Sequence, residues 1–283
     1  MSRVVPLLCA VCVVGIGATA WLMLDSRTAV DANVPTGTVV LTPTRSSALV
    51  EARRTCTVSA LEDVVRGQQQ RCRDDATNAE HWHVLADALL EKVQARAHRH
   101  GLVVGAPTWT TLPADVAADL DAGLAAIERC RALGHDVPDL ARIEAGLLGQ
   151  RITGLATALQ WNGRIQAALA NAVERGKDDP RVHVALGVKH LLAPRLFGHD
   201  PAKALEHLEF AAKALADDER PAVFAAMASY LQKKRQQAIE WLEKAVARNP
   251  NNVFARVVLG RVKRDEPDPF GRDIEEREAA EPK

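Results

Sequence analysis

At 283 residues the chain is long enough for one or two domains with a sizeable core. Hydrophobic residues make up 47% but aromatics only 4%, and strand-like alternation is nowhere sustained, so the abundance of alanine and leucine predicts an all-α protein. Thirty-six basic side chains balance 36 acidic ones, which removes the electrostatic case for nucleic-acid binding.

The first element is apolar. Arg3 precedes an uncharged run over residues 4–24, long enough at the helical rise to cross a bilayer core of about 30 Å. Trp21 suits an interfacial anchor, and Arg3 favours a cytoplasmic amino end. Ala18-Thr19-Ala20 also fits a signal-peptide cleavage pattern, but the apolar run continues past it. Residues 1–27 therefore read as a signal-anchor or transmembrane segment, and either reading places the remainder outside the cytoplasm. Residues 28–57, with prolines, glycine, threonines and no helical period, read as a flexible linker. Helical patterning starts near Ala48 and firms up from Val58.

From there one scheme recurs. "AEHWHVLADALLEKV" places Trp82, Leu85, Ala86 and Leu89 on one helical face, "PRVHVALGVKHLL" repeats it with Leu186, Gly187 and Leu191, and "AVFAAMASYLQKK" with Phe224, Met227, Ala228 and Leu231. Companion helices carry alanines seven residues apart, Ala204 with Ala211 and Ala238 with Ala245. Asn249-Pro250 stops the last companion helix, because proline lacks an N–H and restricts the residue before it. Leu85, Ile143, Leu186, Met227 and Leu259 mark successive first helices, so residues 58–264 read as an array of helical hairpins. The segments "HRHGLVVGAPTWTTLP" and "APRLFGHD" interrupt the period as inserts, and Asp200-Pro201 ends the second with a capping residue and a first-turn proline. Residues 265–283, with eight acidic and three basic side chains, read as an acidic tail that frays into solvent.

This scheme resembles the tetratricopeptide repeat (TPR) on Trp82 with Leu85-Ala86, Leu186-Gly187, Leu259-Gly260, and Ala238 and Ala245 followed by Pro250. The resemblance implies a right-handed α-solenoid of degenerate TPR hairpins behind the N-terminal helix. A weaker resemblance, on Gly198, Asp200 and Pro201, is to the periplasmic TPR component associated with tripartite (TRAP) solute transporters.

Chemistry is sparse. No phosphate loop, nucleophile elbow or paired-carboxylate framework occurs, so neither enzymatic activity nor a cofactor is expected. Cys56, Cys72 and Cys130 read as unpaired thiols, the latter two buried at the ends of second helices. His98 and His100 fall in a flexible insert without metal-ligand spacing, so no metal site is expected. Trp82 reads as core, whereas Trp109 and Trp161 lie in loop-like stretches and could shield apolar surface or meet a ligand.

A solenoid still offers a concave face built from its first helices. Projected from Trp82, that face presents Glu80, His83 and Asp87 and, from later repeats, Ser229, Gln232, Lys233 and Arg261. The expected function is a single-pass, membrane-tethered scaffold in the inner (cytoplasmic) membrane, its repeat domain periplasmic and binding protein partners of the cell envelope. The alternative is a ligand-binding accessory of a TRAP-type uptake system, with a small apolar ligand inside the superhelix.

Overall fold

Each helix of the repeat region carries an apolar stripe that it cannot bury alone, and the stacking of neighbours follows from that need. A computed structural model describes residues 46–280; the apolar run at 4–24 and the linker up to residue 45 lie outside the described residues. Among the described residues there are twelve α-helices and no strand. They are α1 (Ser47–Thr55), α2 (Val58–Asp74), α3 (Ala79–Ala97), α4 (Ala114–Ala132), α5 (Pro138–Gln150) and α6 (Leu155–Gly176), followed by α7 (Pro180–Leu192), α8 (Pro201–Ala214), α9 (Arg220–Leu231), α10 (Arg235–Arg248), α11 (Val253–Lys263) and α12 (Glu276–Ala279).

Four of the helix starts share one device. Asn78, Asp179, Asp200 and Asn252 each accept a hydrogen bond from the first-turn backbone of α3, α7, α8 and α11, satisfying amides that have no partner within the helix. Pro138, Pro180, Pro201 and Pro221 occupy first turns, where the missing N–H costs nothing.

The helices pack as consecutive hairpins, α3 with α4, α5 with α6, α7 with α8 and α9 with α10, while α2 and α11 flank the ends. The first helices also touch in sequence, α3 on α5, α5 on α7 and α7 on α9. This TPR-like arrangement explains the small residues. A Cβ on Gly187 would lie 2.5 Å from Leu208 Cγ, so the Leu-Gly pair marks where α7 and α8 meet too closely for any side chain. Ala204, Ala211, Ala238 and Ala245 are all fully buried. Two apolar clusters result, one around α1–α5 with Trp109 and one around α7–α11 with Leu102 and Phe270.

Two expectations need correction. The segment expected as linker contains α1, which buries Leu49 and Ala52 and sends Arg53 to Asp218 at 3.1 Å and Glu219 at 3.2 Å. A buried apolar stripe and a buried cation both need a fixed partner, so the described end of that segment is part of the fold. Nor does the C-terminal segment fray over its described part. Phe270 is buried, Leu102 N–H donates to the Phe270 carbonyl at 2.8 Å, and Ile274 N–H donates to the Arg99 carbonyl at 3.0 Å. Gly101, at φ +72°, lets the two backbones cross, since a Cβ there would stand 2.7 Å from the Gly271 carbonyl carbon. One phenylalanine and a row of backbone partners outweigh the acidity on which the expectation rested.

Candidate binding face

Glu80 and His83 are three residues apart and so share a face at the start of α3. Glu80 is exposed and His83 half-buried. One turn on, Asp87 is inside the protein and accepts from Arg142 Nη2 at 3.0 Å. Arg142 also donates to Asp139 at 2.6 Å, Arg181 lies 3.6 Å from the same carboxylate, and His83 Nε2 lies 3.0 Å from it. Burial alone would raise the Asp139 carboxyl, but the Arg142 charge, the His83 hydrogen bond and the Arg181 charge together hold it well below the usual range. Arg142 is correspondingly pushed above its ordinary range, because Asp139 and Asp87 outweigh its desolvation. Asp87 therefore belongs to a buried ion network between α3, α5 and α7 and is not part of an open face.

Ser229 and Arg261 are likewise internal. Ser229 is fully buried and donates to the Ala225 carbonyl at 2.9 Å, one turn back along α9. Arg261 is 1% exposed; it donates to Glu278 at 2.8 and 2.5 Å and to the carbonyls of Pro269, Arg272 and Asp273 at 3.3, 3.1 and 2.7 Å. Its hydrogen bond, set against a smaller cost of burial, lowers Glu278 to about 2. Arg261 thus clamps the C-terminal segment onto α11. Gln232 is half-buried and donates to the Pro201 carbonyl at 3.0 Å, and Lys233 is exposed at φ 62°. The seven candidates do not form one surface. Helical projection locates a residue on its own helix but cannot show which distant segment covers it, and here Arg142 of α5 meets Asp87 and the C-terminal segment closes over Arg261.

Packing between distant segments also fixes residues expected to be mobile. His98 sits against Phe224 and Phe254, with ring centroids 6.2 and 5.8 Å away. Burial, then the charge of Arg220, lowers its pKa to about 4, so the ring stays neutral. Arg220 in turn donates to both oxygens of Glu91 at 2.7 and 2.8 Å, joining α9 to α3. Trp109 is buried in the first cluster, and Trp161 lies on α6, not in a loop, beneath Arg151 and Arg164 at 5.5 and 5.8 Å. Trp82 packs against the first cluster and donates to the Ala76 carbonyl at 3.2 Å.

The inserts build a feature that periodicity did not reveal. Val104, Gly105, Pro194, Arg195, His199 and Leu231 line an open cleft of about 400 Å³. Gly105 N–H donates to the Leu192 carbonyl at 2.9 Å, tying the first insert to the end of α7. Leu231 is 39% exposed, an apolar side chain at the last position of α9. His199 donates through Nδ1 to the Leu191 carbonyl at 3.0 Å, which leaves Nε2 as an acceptor. The signal for this cleft was the two breaks in the repeat period themselves.

Cys56, Cys72 and Cys130 are all free thiols. Burial, followed by the nearby acids and thiols, pushes Cys130 up to about 12, and burial and Glu219 push Cys56 to about 11, so neither has nucleophilic thiolate character. Among the described residues Glu80, His83 and His135 bring ligating atoms within 4.8 Å of one another, a grouping that the sequence spacing did not suggest because His135 lies 52 residues from His83. No described helix is long and apolar enough to cross a membrane.

No protein-family model matches the chain, and no curated protein matches it. Among solved structures the chain is similar to YrrB, described as a TPR protein with an unusual peptide-binding site, at 14% identity and a TM-score of 0.35, covering 83% of this chain and 95% of that one. The weaker resemblance to the TRAP-associated component finds no support in these comparisons. A likeness this distant carries no weight of its own, and the TPR-like architecture rests on the helix pairing and close contacts described above.

Proposed function

We propose that this protein is a membrane-tethered, extracytoplasmic interaction module that recruits a polypeptide partner through the cleft between its two inserts. The carrying observation is the company kept by Leu231: an exposed leucine that lines one cleft with Val104, Pro194, Arg195 and His199. A lining that mixes apolar side chains with a few polar groups suits an extended segment bearing one apolar side chain and one carboxylate. Lys233, two residues beyond Leu231 and exposed, adds positive charge at that end of α9. The apolar run at 4–24 supplies the tether, and its flanking charges support an outward-facing repeat domain.

The test is site-specific crosslinking. A photo-reactive residue at position 231 of the full chain, in cells, should give a discrete polypeptide adduct, while the same residue at the exposed Gly67 of α2 should not. Equal labelling at both positions, or adducts of lipid mass alone, would reject the cleft as a protein-binding site. Amino-terminal analysis of the mature protein checks the tether, since a uniform start at Trp21 would mean that it is removed.

A further inference from the structure

We propose that Glu80, His83 and His135 form a binding site for a divalent transition metal of the zinc class. Glu80 and His83 stand one turn apart on α3. His135 comes from the turn between α4 and α5, directly after Gly134, which bends the chain at φ +80°. His135 N–H donates to the Cys130 carbonyl at 3.0 Å, so the backbone carrying the imidazole is fixed.

The tautomer of His83 is set from behind. Its Nε2 faces Asp139 Oδ2 at 3.0 Å, and the other oxygen of that carboxylate accepts from Arg142 at 2.6 Å. Nε2 therefore carries the proton and Nδ1 presents its lone pair on the opposite side. A carboxylate behind a histidine, orienting the ring and raising its basicity, is the support that metal-ligating histidines use.

The distances in front of Nδ1 match an ion. His135 Nε2 lies 3.2 Å from His83 Nδ1, and Glu80 Oε1 lies 3.7 Å from the same His135 nitrogen. Two ligands of a tetrahedral zinc, each about 2.0–2.1 Å from the metal, stand about 3.3 Å apart. The two imidazoles already have this separation. Glu80, with its side chain 69% exposed, reaches the third position by rotating its own torsions. Two imidazoles and one carboxylate favour zinc, nickel or copper over magnesium and calcium, which prefer oxygen-only sites. Three protein ligands leave one position to water, and the ion braces α3 against the turn that starts the next hairpin. The competing description is a plain hydrogen bond from His135 Nε2–H to His83 Nδ1, which has no metal affinity.

The test uses the full chain in detergent, stripped with a chelator and titrated with Zn²⁺ by calorimetry and thermal melts. One Zn²⁺ should bind per chain, with a melting temperature that climbs with zinc concentration. Glu80→Gln changes an exposed side chain and His135→Ala a loop residue. Each should weaken that binding about tenfold or more, at least the effect of losing an outer-shell partner, with an unchanged far-ultraviolet spectrum. Co²⁺ should give visible d–d bands without a thiolate charge-transfer band, and His135→Ala should abolish them. Absence of saturable Zn²⁺ binding below about 100 μM, binding by either variant as tight as by the unaltered chain, or a cobalt–thiolate band would overturn the site.

Discussion

In the α9–α10 hairpin much of the buried surface is small: Ala222, Ala225, Ala226, Ala228, Ala238 and Ala245 are all fully buried, around larger residues such as Met227 and Leu242. Across α3 and α5 the contact is made by leucines around charges, with Leu85, Leu89, Leu90, Leu140 and Leu147 beside Asp87, Asp139 and Arg142. The first is the inside of one hairpin and the second the seam between the first helices of successive hairpins, and they fail in opposite ways. An alanine interface has no spare volume, so it is sensitive to added atoms. A buried ion network is sensitive to a missing partner, because the charge left behind has no water to turn to. The repeat pattern is plainer in the first region because small residues at fixed spacing are the pattern, whereas charges inside a helix face interrupt it.

The sharpest way to break this comparison is Arg142→Met. It leaves Asp87 and Asp139 facing each other's environment without the cation that joins them, and should cost about 3–5 kcal/mol in denaturant unfolding. A loss below about 1 kcal/mol would mean that Arg181, 3.6 Å from Asp139, or water takes over from Arg142. On the alanine side, Ala245→Leu should cost about 1–3 kcal/mol through forced rotamers and backbone shifts, and a melt like that of the unaltered chain would disprove the tight α9–α10 contact. Arg261→Met should cost about 1–3 kcal/mol by leaving backbone carbonyls unpaired. Its signature is local: hydrogen exchange at Ile274 and its neighbours should accelerate well before that of α9.

Acid separates the regions further. His98 is held neutral by burial and by Arg220, its pKa lowered from 6.5 to about 4. The unfolded chain takes up that proton first, so stability should fall as pH drops from about 6.5 and the loss should be complete below about 4. Glu278 is lowered from 4.5 to about 2, so its contribution is present above 4.5 and is lost as pH falls toward 2. Melting temperature against pH should show both steps, with His98→Gln flattening the upper and Glu278→Gln the lower. If His98→Gln leaves the upper step intact, buried His183, also lowered by desolvation, is its source. The smallest effect belongs to Lys233, which sits in the left-handed region: Lys233→Gly should stabilise by about 0.5–1 kcal/mol, and Lys233→Ala should stay within about 0.5 kcal/mol.

The sequence by itself determined most helices between residues 58 and 264, their hairpin pairing and their close contacts, though not α1, α12 or the helix that carries Trp161. Apolar spacing, caps such as Asp200-Pro201, and alanines seven apart are local properties, and a hairpin buries its stripe against neighbours whatever lies farther away. Only the tertiary structure decided what covers the first helices. Arg53 meets Asp218 across 165 residues of sequence, Arg220 meets Glu91 across 129, and Leu102 pairs with Phe270. Packing between distant segments likewise turned Asp87, Ser229 and Arg261 from expected surface into interior, formed the cleft between two inserts, and brought His135 to Glu80 and His83. The physical reason is range. Periodicity records which side of a helix is apolar, but a buried charge or a crossing backbone is recorded at two distant places, and neither place alone names the other.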